Sequence, residues 1–106
     1  MYTYSARLVR VIDGDTVVLD IDLGFYQWRL ARSYRLARIN APELNTAEGQ
    51  AAREALATHI ALTTHFVVST QKADSFDRWV VELLADGENV SDWLVANGHA
   101  QLHTYR

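Results

Sequence analysis

Apolar and polar positions alternate through Ser5–Ile12, the period-two pattern of a strand with one buried face. Asp13-Gly14-Asp15 then supplies turn chemistry, and the β-branched run Thr16–Ile21 predicts the returning strand of a hairpin. The segment Leu23–Trp28, with its glycine and aromatics, predicts a loop before a third strand over about Arg29–Ile39. Pro42 stops that strand, because proline has no N–H for a ladder and biases Ala41 toward an extended conformation.

The pattern then changes period. Asn45-Thr46-Ala47-Glu48 has the form of a capping box, and Ala52, Leu56 and Ile60 fall on one helical stripe with Ala55 beside it, predicting an amphipathic helix that ends near Leu62. Two further β-rich runs, Thr64–Thr70 and Arg78–Leu84, flank the polar segment Gln71–Asp77 as a second hairpin, and Asp86-Gly87 turns the chain again. Asn89 caps a short helix, Val90–Asn97, with Asp92 near its positive end, Val90 and Leu94 toward the core and Gly98 as the stop. Three strands, helix, two strands, helix: this order predicts an α+β, mainly β, five-stranded OB-type barrel with two helices, formed by residues 1–106 as a single domain.

Composition narrows what such a barrel can do. The 106 residues, 49% hydrophobic and 22% charged, suit one globular core. With no cysteine, disulfides, thiolate metal sites and cysteine nucleophiles are excluded, and the chemistry falls to oxygen and nitrogen groups. No signal-like or membrane-length apolar stretch is present, so the expectation is a cytoplasmic protein without membrane contact, monomeric by default. A net charge of −3 argues against tight non-specific binding to nucleic acid, which comes mainly from Lys and Arg displacing counterions. Yet Arg29, Arg32, Arg35 and Arg38 cluster in one segment, and arginine's planar fork matches two phosphate oxygens. A solvated strand face accounts for the same cluster.

Three places carry candidate chemistry. In Ile12-Asp13-Gly14-Asp15-Thr16 the aspartates suit any tight turn, but a carboxylate at the start of a strand can also serve as a hard-cation ligand. In Tyr34–Glu43 an arginine on a strand is followed by the amide oxygen of Asn40 and the carboxylate of Glu43 across a proline bend; the plain alternative makes Glu43 a solvated loop residue. In Asp74-Ser75-Phe76-Asp77-Arg78-Trp79 an arginine opens a strand after an acidic turn, where a surface ion pair is the plain alternative.

Together and in this order, these segments resemble the staphylococcal nuclease family. Asp13-Gly14-Asp15 matches its Asp-Gly-Asp-Thr turn, Arg35 through Glu43 its Arg-then-Asp-Thr-Pro-Glu segment, and Arg78 its Asp-Lys-Tyr-Gly-Arg turn. The resemblance runs from about Ala6 to Ala100 and implies a calcium-dependent endonuclease. It would hydrolyse DNA or RNA, preferring single strands, and leave 3′-phosphates. It implies calcium held by Asp15, the Asn40 side chain and the main-chain carbonyl of Ala41, with Asp13 supporting Asp15 from behind. Glu43 would activate the attacking water, and Arg35 and Arg78 would hold the phosphoryl oxygens.

The departures are equally specific. Asn40 stands where most of the family has aspartate, which keeps an oxygen but removes a charge, so weaker calcium binding is expected. Ala41 replaces a threonine, and Ser75-Phe76-Asp77 replaces Lys-Tyr-Gly, putting an acid beside Arg78 and removing a lysine and a phenol from the phosphate's surroundings. Tyr105 is a candidate stacking platform for a base, although its register is not clean. His99 and His103 have an i,i+4 spacing, but Gly98 should end the helix before them. Trp28, Trp79 and Trp93 are expected in the core or at the barrel rim. The alternative function is a nucleic-acid-binding barrel that has lost efficient catalysis.

Overall fold

The computed structural model describes the main chain over residues 2–75 and 78–103 and side chains over 2–70 and 79–103. Five long strands form the barrel: β1 Thr3–Asp13, β2 Thr16–Gly24, β3 Gln27–Leu36, β5 Phe66–Ser75 and β6 Arg78–Ala85. They run in the order β3-β2-β1-β5-β6, antiparallel throughout, and a parallel pairing of β3 with β6 closes the cylinder. Short strands β4 (Ile39–Asn40), β7 (Glu88–Asn89) and β8 (Gln101–Leu102) complete the set with helices α1 (Ala47–Ile60) and α2 (Val90–Ala96). The closed five-strand barrel with two helices is the architecture the alternating pattern predicts. No helix among the described residues is long and apolar enough to cross a membrane.

The core follows from the alternation. Val17, Leu19, Leu36, Val81 and Leu83 point into the barrel and are fully buried, and Leu56 and Ile60 of α1 and Val90 and Leu94 of α2 close one end. Burying such aliphatic side chains contributes roughly 1.5–3 kcal/mol each, the main term holding so small a domain together.

Four boundaries differ from the pattern reading. The loop expected over Leu23–Trp28 shrinks to two residues: β2 runs to Gly24 and β3 starts at Gln27, with Phe25 and Tyr26 both at positive φ (55° and 61°). That is the sense of twist a two-residue hairpin needs, although the residues that usually supply it are glycine and asparagine. The third strand stops at Leu36 rather than Ile39, because Arg38 turns left-handed (φ 68°). There its guanidinium donates to both oxygens of Glu82 (2.6 and 3.0 Å) and meets Asp92 at 3.0 Å, tying the bend to β6 and α2. Glu82 is the chief reason that the Arg38 pKa is raised.

Helix α1 is capped by Thr46, not Asn45. The Thr46 hydroxyl accepts from Gly49 N–H (3.0 Å) and donates to the Glu43 carbonyl (2.6 Å), so one side chain serves both the helix and the loop before it. The polar segment expected as a turn over Gln71–Asp77 is mostly strand, since β5 continues to Ser75. Asn89 caps α2 as expected, accepting from Asp92 N–H, and Gly98 (φ 76°) follows the helix, so His99 and His103 do not share a helical face. Trp28 and Trp79 are rim residues, each 38% exposed, and Trp93 stacks between the rings of His59 and His99 on the surface of α2.

Candidate functional site

The turn between β1 and β2 delivers Asp15 to the barrel surface as a buried carboxylate, 7% exposed. Its position is set locally: the Asp13 carboxylate accepts from the Asp15 N–H (3.1 Å), closing an Asx-type turn. Asp15 Oδ1 accepts from the Thr16 hydroxyl (3.1 Å), and Oδ2 accepts from Ala41 N–H (2.9 Å) and meets Arg35 Nη2 at 3.3 Å. Burial, aided by the neighbouring Asp13 carboxyl, pushes the Asp15 pKa above the ordinary carboxylate value, against the pull of Ala41 N–H and Arg35.

Arg35 is the penultimate residue of β3, opposite Thr16, with its side chain 16% exposed. Its Nη2 reaches three oxygens: Asp15 Oδ2, the Ile39 carbonyl (3.0 Å) and the Asn40 side-chain oxygen, which forms a very short contact. Its Nε is buried and has no acceptor among the described residues. A single cationic nitrogen therefore touches a carboxylate, an amide oxygen and a main-chain carbonyl at once. These are hard oxygen donors of the kind a hard cation takes, so the residues fit such an ion. Among the described residues no cluster of three or more His, Cys, Asp and Glu side chains exists; the oxygens here come largely from an amide and the main chain.

Asn40 is held from the far side. Its strand β4 pairs with β8, Ile39 opposite Leu102 and Asn40 opposite Gln101, and His103 N–H donates to the Arg38 carbonyl at 2.7 Å. Ala41 joins Asp15 through its main-chain N–H, the contact that ties the segment after β4 to the β1–β2 turn.

Glu43 is exposed and its carboxylate makes no hydrogen bond among the described residues; what is fixed is its main chain. The Glu43 carbonyl accepts from Thr46 N–H (3.0 Å) and the Thr46 hydroxyl, and it packs against Gly49 so closely that a Cβ there would sit 1.8 Å from the carbonyl oxygen. A Cβ on Gly14 would lie 2.7 Å from Ala41 Cβ and 2.9 Å from Ala52 Cβ. The Asp13–Asp15 turn, the Ala41–Glu43 bend and the start of α1 thus meet through Gly14, Ala41, Gly49 and Ala52, where small side chains let main chains approach. Sequence reading missed Gly14, Gly49 and Thr46 in this role. The available signal was a glycine in the first turn of a helix, a residue that costs about 1 kcal/mol there without a packing reason.

Arg78 opens β6, its main chain opposite Ser75 and two positions from Val80, the residue paired with Arg35; its side chain lies outside the described residues. Phe76, Asp77 and Tyr105 also lie outside them. Of the arginine cluster only Arg35 joins the acidic site: Arg38 is committed to Glu82 and Asp92, and Arg29 and Arg32 pair with the inward residues Ile21 and Leu19.

The family model of staphylococcal nuclease homologues matches residues 33–106. The chain belongs to the staphylococcal nuclease family. No curated protein is matched by the sequence. Membership of the staphylococcal nuclease family rests on a match that takes in Arg35, Asn40, Glu43 and Arg78, while the Asp15 turn precedes it and joins the site through its bonds to Arg35 and Ala41.

Proposed function

We propose that this domain, residues 1–106 acting as a monomer, hydrolyses phosphodiester bonds in DNA or RNA, preferring single strands and leaving 3′-phosphates. The observation that carries the reading is the convergence of Asp15, from the β1–β2 turn, with Arg35 and Asn40, from the Tyr34–Glu43 segment, on one point at the barrel surface. Asp15, the Asn40 side chain and the Ala41 carbonyl would hold calcium, which when bound would supply Lewis-acid stabilisation of the phosphate under attack. Glu43 takes the proton of the attacking water; its exposed carboxylate is free to accept it. Arg35 has an Nε donor unmet among the described residues and, with Arg78, holds the equatorial oxygens on which charge develops, so both act more strongly in the transition state than on bound substrate. Base selectivity is weak in this scheme, since the groups named address phosphate.

The test is incubation of the purified protein with single-stranded DNA and RNA, in calcium and in excess chelator, beside Glu43→Gln. Cleavage that requires calcium and falls at least ~10²-fold in the variant is the expected result, the scale of a general base. Binding without cleavage under every condition would sink the enzyme and leave the nucleic-acid-binding barrel in its place, a reading to which Asn40 and the net charge of −3 lend support.

A further inference from the structure

The barrel has a second opening on the other face of β3. Neighbouring residues of a strand point to opposite sides, so Tyr34 faces inward where Arg35 faces out, and Tyr34 is paired across the barrel closure with Trp79. Between them lies a cavity of about 260 Å³, walled by Tyr2, Tyr4, Tyr34 and Trp79, floored by aliphatic side chains and edged by Arg29. A ring system with a small substituent fits this volume, which falls just short of drug-sized pockets.

Two features give the cavity a chemistry. Tyr34 is 3% exposed, yet among the described residues its buried hydroxyl has no hydrogen-bond partner, a condition that native structures rarely tolerate without a ligand or water. Arg29 stands 5.8 Å from the centre of the Tyr34 ring, and among the described residues no carboxylate lines the cavity, so the guanidinium is the charge it presents to a ligand. Burial raises the Tyr34 pKa, keeping the hydroxyl a neutral donor. Tyr2 and Tyr4 stack on each other at 6.5 Å, and Trp79 offers a partly exposed indole, as aromatic platforms for flat rings do.

We propose that this cavity binds a nucleotide, its base between the tyrosine pair and Trp79 with an acceptor on the Tyr34 hydroxyl, and its phosphate on Arg29. The choice of a nucleotide among aromatic anions rests on the proposed nuclease reading; the cavity itself does not, because it shares no side chain with the Asp15 site. The same chemistry is presented by a free mononucleotide and by the end of a strand.

The experiment is tryptophan fluorescence titration of the whole chain in chelator, with adenosine 5′-monophosphate, adenosine, ribose 5-phosphate and a 5′-phosphorylated tetra-adenylate. Saturable quenching by the monophosphate is expected, with adenosine about tenfold weaker and ribose 5-phosphate without effect. Arg29→Gln should erase the difference between monophosphate and adenosine, the scale of one charge-assisted hydrogen bond. Tyr34→Phe should weaken the monophosphate several-fold without lowering Tm, which a hydroxyl serving the fold would not allow. A tetra-adenylate that binds more tightly than the monophosphate identifies a strand end as the occupant, and equal binding identifies the mononucleotide.

No quenching at millimolar monophosphate, equal binding of ribose 5-phosphate, or binding abolished by Arg35→Ala but untouched by Arg29→Gln would each overturn the proposal. A chain that cleaves nothing in calcium yet binds the monophosphate loses the nuclease and keeps the cavity's ligand. The converse result separates them the other way.

Discussion

Asp15 and Glu43 are both carboxylates assigned to one reaction, and the structure treats them oppositely. Asp15 is buried, accepts hydrogen bonds on both oxygens and meets a guanidinium. Glu43 is exposed, and only its main chain is anchored, through Thr46 and the close approach of Gly49. The contrast follows from what each is asked to do under the proposed reading. A cation ligand benefits from rigid placement, which the Asx turn and the Ala41 N–H supply, at the cost of desolvation. A group that takes a proton from water needs solvent on one side, so precision has to come from the backbone behind it. One side chain is built into the scaffold; the other is aimed by it.

The largest effect is expected where the scaffold itself is cut. Asp15→Ala should abolish calcium-dependent cleavage and also destabilise the fold by about 1–3 kcal/mol, since Ala41 N–H and Arg35 lose their acceptor; calorimetry beside an activity assay reads both. Glu43→Gln should separate the two readouts, with turnover down at least ~10²-fold and Tm unchanged. A fall in Tm there would mean that Glu43 is a structural residue and the contrast is wrong.

Gly49→Ala sharpens the same comparison from behind. It leaves every proposed chemical group intact but forces the Glu43 carbonyl to move. It should cost about 1–3 kcal/mol, as overpacking does. It should also lower turnover at least about tenfold, because misplacing a group by about 1 Å can cost about a hundredfold. A normal rate in this variant would remove the claim that main-chain packing aims Glu43.

The smallest effect lies at a third carboxylate, remote from the site. Asp86 is exposed like Glu43 but bonded like Asp15, accepting from Thr64 N–H, the Thr64 hydroxyl and His65 N–H, and these bonds lower its pKa below the usual 3.8. A depressed folded pKa adds stability above the unfolded value and loses it as pH falls through the folded one. Asp86→Asn should therefore lower Tm slightly at neutral pH, with the gap closing below about pH 4 in a pH series of melts.

What could be read from the sequence was local in origin. The Asp13-Gly14-Asp15 turn, the stripe of Ala52, Leu56 and Ile60 and the Asn89 cap are each set by a few consecutive residues, and each stands as expected. The cluster of Asp15 with Arg35 and Asn40 joins two motifs, Ile12–Thr16 and Tyr34–Glu43, and nothing in either says that the other is near; only their order along the chain made it legible. The misreadings are long-range. Arg38 leaves the strand for Glu82, a partner 44 residues away, and β4 and β8 are two-residue strands that exist only as a pair. Phe25-Tyr26 breaks the usual turn chemistry outright, and Thr46 wins the cap over Asn45 because its hydroxyl also serves the Glu43 carbonyl.

The pairing of β4 with β8 has a consequence in time. On a ribosome, the residues that meet around Arg35 are made early, but Asn40 gains its strand partner only when Gln101 and Leu102 have emerged. Under the proposed reading, a nuclease assembled in that order stays unfinished until nearly the whole barrel has emerged.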